Sequence, residues 1–410
     1  MEIIGKFFPL YKRQAMKNRV FKEQKSFMIL TLLLITFSMA VCQSSWAVNI
    51  RLSWNPPDNE PDLAGYKIYY GNASRTYSNT INVGNVTTYI LTNLDPKNNY
   101  YITVTAYDTS NLESGFSNEV RWPYLDLVDF EGDSKNDIAV YRVNNGAWYI
   151  RPSSGATPYG VGWGGDPSDR PVPGDFDGDG RTDFAVYRPG LTTLFIFPSG
   201  GGVPYGVNWM GDATDRPVPA DYDGDGKADI AVYRGATGAW YIFPSGGSAP
   251  YGVGWGGDPS DKPVPGDYDG DGKADVAVYR SAIGAWYIFP SEAPSPLGIG
   301  WGGNPSDKPV PGDYDGDGKA DIAVYRSGTG GWYIFPSGGG APYGVGWGGD
   351  PSDKPVPGDY DGDGKTDIAV YRVATGAWYI RPSSGASPYG IGWGGNSSDI
   401  PITLNLLSID

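Results

Sequence analysis

The sequence has no histidine and only one cysteine, Cys42. Without histidine the chain lacks the commonest general base and the serine–histidine chemistry that depends on it. With a single cysteine it cannot form an internal disulfide bond. A nucleophile elbow is also missing from the sequence. These absences predict a protein that is not an enzyme and that holds its fold together by means other than disulfide bonds.

The N-terminus combines positive charge with a short apolar run. Seven Lys and Arg residues precede the run at 27–41, which is too short to cross a membrane comfortably and is followed by small residues. This pattern predicts a cleaved secretory signal peptide over residues 1–47, with cleavage after Ala47 and a second candidate site after Ala40. A retained membrane anchor is one alternative. Lipidation of Cys42 is another, although Val41 stands where the processing enzyme requires a small residue.

Charge restricts the partners of the protein. The formal net charge is −15, and residues 1–47 carry 7 basic and 2 acidic groups, or +5, so that the mature chain would carry −20. Repulsion between like charges opposes binding to nucleic acid or to an anionic membrane. We expect a secreted or cell-surface protein that attracts cations and does not insert into a membrane after signal cleavage.

Glycine, proline and aromatic residues are all abundant. The 61 Gly and 35 Pro residues mark many turns, and the 14 Trp, 30 Tyr and 14 Phe residues supply the apolar surface that a disordered chain lacks. Short aromatic-rich strands between frequent turns predict an all-β protein.

Residues 48–122 form the first predicted domain. Its predicted strands are bounded by Asn, Asp, Gly and Pro turns and comprise IRLSW (50–54), AGYKIYYG (64–71), TTYILTNLDP (87–96), NYYITVTAYD (99–108) and SGFSNEV (114–120). With Trp54 on an early strand, Tyr66 in GYKIYY and the spacing Leu94-x-Pro96-x-x-x-Tyr100, the segment resembles a fibronectin type III domain. The resemblance implies a β-sandwich that serves as a spacer or docking module, here with a short or missing first strand.

A 46-residue repeat occupies the rest of the chain. An acidic segment opens with this spacing at Asp129, Asp175, Asp221, Asp267, Asp313 and Asp359. Six units account for residues 124–399, and the C-terminal IPITLNLLSID aligns with the opening strand of a seventh.

Each unit offers four strand candidates, for example PVPGD, DIAVYR, GAWYIFPS and YGVGWGG. Four strands in about 45 residues is the size of one β-propeller blade, and one small sheet cannot bury both of its faces alone. We therefore predict a β-propeller over residues 124–410. Six blades are favoured, with the seventh opening strand completing the first blade by strand exchange. A seven-bladed ring with one improvised blade and an open array are the alternatives.

The acidic segments have the pattern DYDGDGKAD, whose residues we number 1–9. Carboxylates at positions 1, 3, 5 and 9, with the backbone carbonyl of position 7, can surround one hard cation, and glycine permits the tight turn. Calcium fits better than magnesium because many oxygen ligands are on offer at flexible distances. The segment is not an EF-hand, because position 12 in the second unit is Val186 and strands flank it. An acidic turn that hydrogen-bonds its own backbone is the alternative.

Five segments match the calcium pattern in full. Their predicted ligands are Asp175, Asp177, Asp179 and Asp183; Asp221, Asp223, Asp225 and Asp229; Asp267, Asp269, Asp271 and Asp275; Asp313, Asp315, Asp317 and Asp321; and Asp359, Asp361, Asp363 and Asp367. The first segment has Ser134 in place of glycine at position 6. We predict a weaker site or none there, at Asp129, Glu131, Asp133 and Asp137.

The acidic segment joined to DIAVYR is similar to the FG-GAP or VCBS-type repeat of integrin α-chain propellers and many exported bacterial proteins. The Phe-Gly and Gly-Ala-Pro sequences of that repeat are largely absent from this chain. The resemblance implies a calcium-stabilised propeller that is used for adhesion or binding.

Two sets of tryptophans and one set of arginines recur with the repeat. The tryptophans of GxWYI are predicted to lie in the core between blades, at Trp148, Trp240, Trp286, Trp332 and Trp378, and the second unit has LFIF (194–197) instead. The tryptophans of GxGWGG either pack or offer a flat face to a sugar, and they are Trp163, Trp209, Trp255, Trp301, Trp347 and Trp393. The arginines are expected to pair with nearby aspartates, with an acidic ligand as the alternative, and they are Arg142, Arg188, Arg234, Arg280, Arg326 and Arg372.

Together these features favour a monomeric, non-catalytic adhesion or interaction scaffold. Its expected partner is a protein or glycan on a cell or matrix surface. A multivalent carbohydrate-binding propeller is the alternative, because several equivalent weak sites would give avidity.

Overall fold

The structure is a computed structural model, and it describes residues 30–34, 48–54, 62–72, 76–94, 100–117, 120–122, 127–209, 211–212, 214–291 and 295–404. Within these ranges the chain is built from β-strands, with two single-turn 3-10 helices at Val143–Asn145 and Pro189–Leu191. The all-β prediction is therefore confirmed. No helix in the described part of the chain is long and apolar enough to span a membrane. Two compact units are present, one within residues 1–124 and one comprising most of residues 125–410.

The first unit contains two antiparallel sheets. Its strands are β1 (Leu30–Leu34), β2 (Val48–Trp54), β3 (Leu63–Gly71), β4 (Asn79–Gly84), β5 (Thr88–Leu94), β6 (Tyr100–Asp108) and β7 (Val120–Trp122). One sheet has the order β1-β2-β5 and the other β4-β3-β6-β7. Side chains from both sheets share one core, in which Trp54 and Tyr66 meet edge to face with ring centroids 5.5 Å apart.

Four strands of the predicted first domain are confirmed, and three details differ. The segment Ser114–Ser117 lies alongside β6 and donates two backbone hydrogen bonds to it. The last strand begins only at Val120. The strand β4 was not predicted, because its sequence NTINVG is rich in turn formers. The strand β1 lies inside the predicted signal peptide, which stays a prediction. Tyr100 is buried as expected, while residues 95–99 of the predicted corner lie outside the described residues.

The second unit repeats one four-stranded antiparallel sheet six times. The opening strands are β11 (Arg170–Pro171), β15 (Arg216–Pro217), β19 (Asp261–Pro263), β23 (Asp307–Pro309), β27 (Asp353–Pro355) and β31 (Asp399–Pro401). The second strands are β8 (Ile138–Arg142), β12 (Phe184–Arg188), β16 (Ile230–Arg234), β20 (Val276–Arg280), β24 (Ile322–Arg326) and β28 (Ile368–Arg372). The third strands are β9 (Ala147–Arg151), β13 (Thr193–Phe197), β17 (Ala239–Phe243), β21 (Ala285–Phe289), β25 (Gly331–Phe335) and β29 (Ala377–Arg381). The fourth strands are β10 (Tyr159–Gly162), β14 (Tyr205–Asn208), β18 (Tyr251–Gly254), β22 (Leu297–Gly300), β26 (Tyr343–Gly346) and β30 (Tyr389–Gly392).

Alternation along the second strand explains why the sheets stack. In β16, Ala231 and Tyr233 point to the side that packs against Val276 and Val278 of the next sheet. Successive side chains of a strand point to opposite faces, so the apolar sequence IAVY provides one contact surface on each side. Complete burial of one such Val or Ile side chain contributes about 1.5–3 kcal/mol. The same packing joins each sheet to the next.

The contacts between sheets also join the sixth repeat to the first. Tyr371 and Trp378 share a core cluster with Ile138 and Val140, as their equivalents do at the other junctions. The C-terminal strand β31 pairs antiparallel with β8 and so becomes the opening strand of the first sheet, whose order is β10-β9-β8-β31. This is the strand exchange that the sequence predicts. The arrangement of the six sheets as blades of a propeller is taken up under the proposed function.

Candidate metal centres

Acidic segments 2–6 each form a loop between the opening and second strands of their sheet, and the first segment directly precedes β8 of the first sheet. We number these loops 1–6 by their repeats, so that loop 5 runs from Asp313 to Asp321. In loop 5 the ends meet in a short antiparallel bridge between Gly312 and Asp321. The bridge turns the intervening residues back on themselves. Acidic side chains that alternate along the loop therefore converge.

Five of the six loops gather three carboxylates around one point. In each cluster one oxygen from every residue lies within 4.8 Å of the others. The clusters are Asp175, Asp177 and Asp183; Asp221, Asp223 and Asp225; Asp267, Asp269 and Asp271; Asp313, Asp315 and Asp321; and Asp359, Asp361 and Asp367. These are the five loops that match the calcium pattern in full.

In each of these five loops the structure brings together three of the four predicted carboxylates. Positions 1 and 3 belong to every cluster, and the third member is position 9 in loops 2, 5 and 6 and position 5 in loops 3 and 4. In loop 5 the position-5 carboxylate of Asp317 accepts a hydrogen bond from the Ser337 hydroxyl at 2.9 Å. An all-oxygen set of this kind is the donor chemistry that calcium prefers, so the residues fit that ion.

Backbone amides hold the first and last carboxylates of the loop in place. Asp313 Oδ1 accepts from Gly316 N at 2.6 Å, and its Oδ2 accepts from Gly318 N at 2.9 Å. Asp321 Oδ2 accepts from Tyr314 N at 2.9 Å, and its Oδ1 accepts from Ser337 N at 2.6 Å. The loop geometry is thus encoded by the aspartates themselves and by glycines in the left-handed region, such as Gly316 with φ of 82°.

Burial makes these carboxylates hard to ionise. Desolvation raises the pKa of Asp313 to about 7, and the neighbouring carboxylates of Asp317 and Asp321 add to the increase. Burial likewise raises the pKa of Asp275 and of Asp367 to about 7. A bound cation would remove this cost, because it stabilises the ionised form.

Loop 1 makes the same kind of hydrogen bonds as loop 5, where Asp315 accepts from Gly338 N and Asp317 accepts from the Ser337 hydroxyl. Glu131 accepts from the backbone N–H of Ser154 at 2.7 Å and from its hydroxyl at 2.6 Å, and Asp133 accepts from the Ser153 hydroxyl at 2.7 Å. Ser134 adopts a left-handed φ of 65°, where the other loops have glycine. Among the described residues, no three acidic side chains of loop 1 bring oxygens within 4.8 Å of one another.

The basic residue at position 7 was not among the predicted site residues. Its side chain reaches the preceding loop: Lys319 Nζ donates to the backbone carbonyl of Asp269 at 2.8 Å, and Lys365 Nζ donates to that of Asp315 at 2.8 Å. The signal was present as a Lys or Arg at 46-residue intervals inside an otherwise acidic segment.

The GxWYI tryptophans are core residues, as predicted. The set is fully buried at Trp148, Trp240, Trp286, Trp332 and Trp378. The indole N–H of Trp240 donates to the backbone carbonyl of Trp255 at 3.0 Å, which satisfies its one polar atom inside the core.

The GxGWGG tryptophans lie half-buried at the junctions between sheets. Trp255 Nε1 donates to the backbone carbonyl of Tyr287 in the next repeat at 2.9 Å, and its ring lies 5.3 Å from that of Phe289. The same hydrogen bond to the next repeat is made by Trp163, Trp301, Trp347 and Trp393. Their rings and N–H groups therefore make contacts within the protein.

Trp209 is the exception, and the LFIF segment explains it. Because Leu194 stands where other repeats have the buried tryptophan, Trp209 stacks on Tyr187 with ring centroids 5.1 Å apart and planes inclined by 22°. In repeat 3 the equivalent tyrosine, Tyr233, packs instead against Trp240 at 50°. Trp209 Nε1 is buried and has no hydrogen-bond partner among the described residues.

The recurrent arginines pair with aspartates. Arg280 donates from Nε and Nη2 to the two carboxylate oxygens of Asp261, at 2.8 and 3.1 Å, and its guanidinium lies 4.7 Å from the centre of the Tyr287 ring. All six arginines make this paired contact, to Asp399, Asp169, Asp215, Asp261, Asp307 and Asp353 in chain order. The expected ion pairs are thus present, and they tie the second strand to the opening strand.

Two family models match the chain. A fibronectin type III domain model matches residues 39–121, and an FG-GAP-like repeat model matches residues 221–278 and 292–370. No protein with a curated description matches.

Two solved structures resemble the chain distantly. One is dihydro-heme d1 dehydrogenase NirN in complex with DHE, at 13% identity and a TM-score of 0.33, with 63% of this chain and 54% of that chain covered. The other is a functionally unknown protein from Desulfotomaculum acetoxidans DSM 771, at 13% identity and a TM-score of 0.40, with 73% of this chain and 96% of that chain covered. The present chain thus spans about half the length of NirN. Neither likeness is close enough to support a functional inference.

Proposed function

Since the chain contains a fibronectin type III domain followed by FG-GAP-like repeats, we propose that it is an extracellular, non-catalytic interaction scaffold whose repeats are stabilised by calcium. Both kinds of module are typical of extracellular or cell-surface proteins. The proposed partner is a protein or glycan on such a surface, bound by a monomer.

The calcium role is supported by one observation: the loops with the complete acidic sequence pattern are the loops whose carboxylates converge. The five loops with complete acidic patterns each gather three carboxylates within 4.8 Å, whereas loop 1, with the altered pattern, forms no such cluster among the described residues. Extracellular calcium modules bind with dissociation constants of about 10⁻⁴–10⁻³ M. At ten times the dissociation constant each ion contributes about 1.4 kcal/mol, so five ions contribute about 7 kcal/mol. That sum is comparable to the net stability of a domain.

We further propose that the six sheets are the blades of a closed propeller. The pairing of β31 with β8 and the core cluster shared by repeats 6 and 1 support closure. Small-angle X-ray scattering of the purified chain tests this proposal. A compact second unit supports a ring, and a long, extended profile contradicts it.

Chelation tests the stabilising role. In EDTA the melting temperature of the protein should fall by more than about 10 °C relative to millimolar calcium, given about 7 kcal/mol of lost stabilisation. Magnesium in place of calcium should restore little of the loss, because it demands a stricter octahedral geometry. An unchanged melting temperature in EDTA would contradict the proposal.

One observation favours the carbohydrate-binding alternative. The fourth strand of most sheets begins with a tyrosine that is 38–43% exposed, namely Tyr159, Tyr205, Tyr251, Tyr343 and Tyr389. Regularly spaced, half-exposed aromatic rings could stack on sugars, and repetition would supply avidity. A glycan array probed with and without calcium separates the two functions. Strong binding to one sugar class would favour the lectin, and its absence across a broad array would discard it.

A further inference from the structure

Two contacts recur between neighbouring acidic loops. The first is the hydrogen bond from the position-7 lysine to the position-3 carbonyl of the preceding loop. Its length is 2.7 Å for Lys227 to Asp177, 2.8 Å for Lys319 to Asp269, 2.8 Å for Lys365 to Asp315 and 2.9 Å for Lys135 to Asp361.

The second contact joins backbone to backbone. The N–H at position 8 donates to the position-1 carbonyl of the preceding loop, as Ala320 does to Asp267 at 2.7 Å and Thr366 does to Asp313 at 2.6 Å. The junction of the last and first repeats has the same bond, from Asn136 to Asp359 at 2.6 Å. Positions 7 and 8 of one loop therefore dock on positions 1 and 3 of the loop before it.

The glycine at position 4 makes room for this docking. A Cβ atom at Gly316 would lie 2.8 Å from Cε of Lys365, and one at Gly270 would lie 2.8 Å from Cε of Lys319. The lysine stem thus crosses directly over the turn between positions 3 and 5. It rests on the part of the loop that carries the converging carboxylates.

Positions 1 and 3 are the two residues that belong to every carboxylate cluster. A lysine that fixes their backbone also fixes where their side chains converge. Conversely, a cation that orders one loop orders its positions 7 and 8, which hold the preceding loop. The contacts therefore connect the cation sites of adjacent repeats through a few hydrogen bonds.

We propose that the position-7 lysine is a positioning residue for the cation site of the preceding loop, and that it makes cation binding to neighbouring loops cooperative. This inference rests on the proposed calcium role. Residues that hold metal ligands in place from the outer shell typically change metal affinity by 10- to 100-fold when they are replaced. Allosteric couplings between sites are typically 5- to 150-fold.

The sign of the effect separates positioning from simple charge. An ammonium group near a cation site repels the cation, so a lysine without a positioning role would weaken binding, and its removal would strengthen it. A lysine that positions the ligands has the opposite effect, because its removal lets the loop relax. Weaker binding after loss of a positive charge is thus the signature of positioning.

The experiment compares Lys319→Met with a matched control, Arg181→Met. Lys319 lies over loop 4, which has a cluster, whereas Arg181 occupies the equivalent place over loop 1 and contacts Gly132, where the described residues form no cluster. Calcium titrations by calorimetry on the full chain measure the number of ions, their affinities and the Hill coefficient. The melting temperature in EDTA measures how much each substitution destabilises the calcium-free protein.

We expect a Hill coefficient above 1 for the unaltered chain. Lys319→Met should weaken one of about five sites by about tenfold and reduce the Hill coefficient, while Arg181→Met should leave all sites unchanged. Lys319→Arg should restore binding, because arginine can donate to the same carbonyl. Equal losses of melting temperature in EDTA for the two Met variants would show that the difference arises only with calcium.

Three outcomes would overturn the inference. Tighter calcium binding by Lys319→Met would mean that the lysine acts only as a repelling charge. Five independent sites in the unaltered chain, unaffected by Lys319→Met, would refute the coupling and leave the calcium role standing. Absence of calcium binding in the unaltered chain would remove both proposals.

Discussion

Trp393 Nε1 donates a 3.1 Å hydrogen bond to the backbone carbonyl of Tyr149, although 244 residues separate the two in the chain. The same bond joins Trp255 to Tyr287 and Trp347 to Tyr379, which are only 32 residues apart. The junction between the last and first repeats is therefore built like the junctions between consecutive repeats. The C-terminal strand β31 completes it by pairing with β8.

Removal of β31 should destabilise the second unit. A chain that ends at Ser398 loses the three residue pairs between β31 and β8, the ion pair of Arg142 with Asp399, and the buried side chain of Ile402. Burial of Ile402 alone contributes about 1.5–3 kcal/mol. Chemical denaturation should show at least this loss.

A chain that ends at Leu404 is the control for this truncation, because it keeps β31 and Ile402. Its unfolding free energy should stay within about 0.5 kcal/mol of the full chain. Equal stabilities of the two truncated chains would mean that pairing of β31 with β8 contributes nothing.

Replacement of the junction tryptophans should reveal which indole N–H groups contribute to the free energy of unfolding. Trp255→Phe removes a hydrogen bond to the next repeat, whereas Trp209→Phe removes a buried N–H without a partner among the described residues. A hydrogen bond of this kind contributes about 1 kcal/mol. Trp255→Phe should therefore cost about 1 kcal/mol more than Trp209→Phe in urea unfolding at saturating calcium. A larger cost for Trp209→Phe would contradict the assigned contacts.

Calcium stoichiometry should distinguish loop 1 from loop 2. Asp177 belongs to a carboxylate cluster, so Asp177→Ala should reduce the number of bound ions from about five to about four. Glu131→Gln changes the equivalent position of loop 1, whose carboxylate accepts hydrogen bonds from Ser154, and should leave the number unchanged. Calorimetric titration of both variants measures this. A lost ion in Glu131→Gln would show that loop 1 also binds.

The metal-free protein should lose stability as the pH rises. Burial raises the pKa of Asp183, Asp275 and Asp367 to about 7, above the value of about 3.9 in an unfolded chain. The folded state then holds more protons than the unfolded state between about pH 4 and pH 7, so the free energy of unfolding falls across that window. In EDTA the melting temperature should fall by several degrees from about pH 4.5 to about pH 7.5.

With calcium present the trend should be weaker or reversed, because the cation competes with protons for the same carboxylates. The rise in melting temperature caused by calcium should accordingly grow with pH. An equal rise at both ends of the range would contradict ionisation of these aspartates on calcium binding.

Much of the second unit follows from periodicity. The 46-residue spacing of the acidic segments predicts equivalent sheets, and the alternation in IAVY predicts that both faces are used for packing. The convergence of positions 1 and 3 also follows from the spacing of the aspartates. These features depend on residues close in sequence, whose geometry the local backbone determines.

The details that the sequence did not predict depend on residues far apart in the chain. The hydrogen bond from the Ser337 hydroxyl to the position-5 carboxylate of Asp317 spans 20 residues. The docking of Lys319 on Asp269 spans 50 residues. The stacking of Trp209 on Tyr187 depends on Leu194, which leaves space beside Tyr187. Such contacts arise from packing, which a local pattern does not encode.

The pairing of β31 with β8 imposes an order on biosynthesis. Arg142 meets Asp399 only after another 257 residues have been made, so the first sheet stays without its opening strand until β31 has been synthesised. Contacts over such separations form slowly, because a long loop must close before any of them is gained. Until then the edge of β8 is free to pair with an opening strand of another chain. A nascent chain in a crowded compartment would therefore be most exposed to mispairing just before β31 emerges.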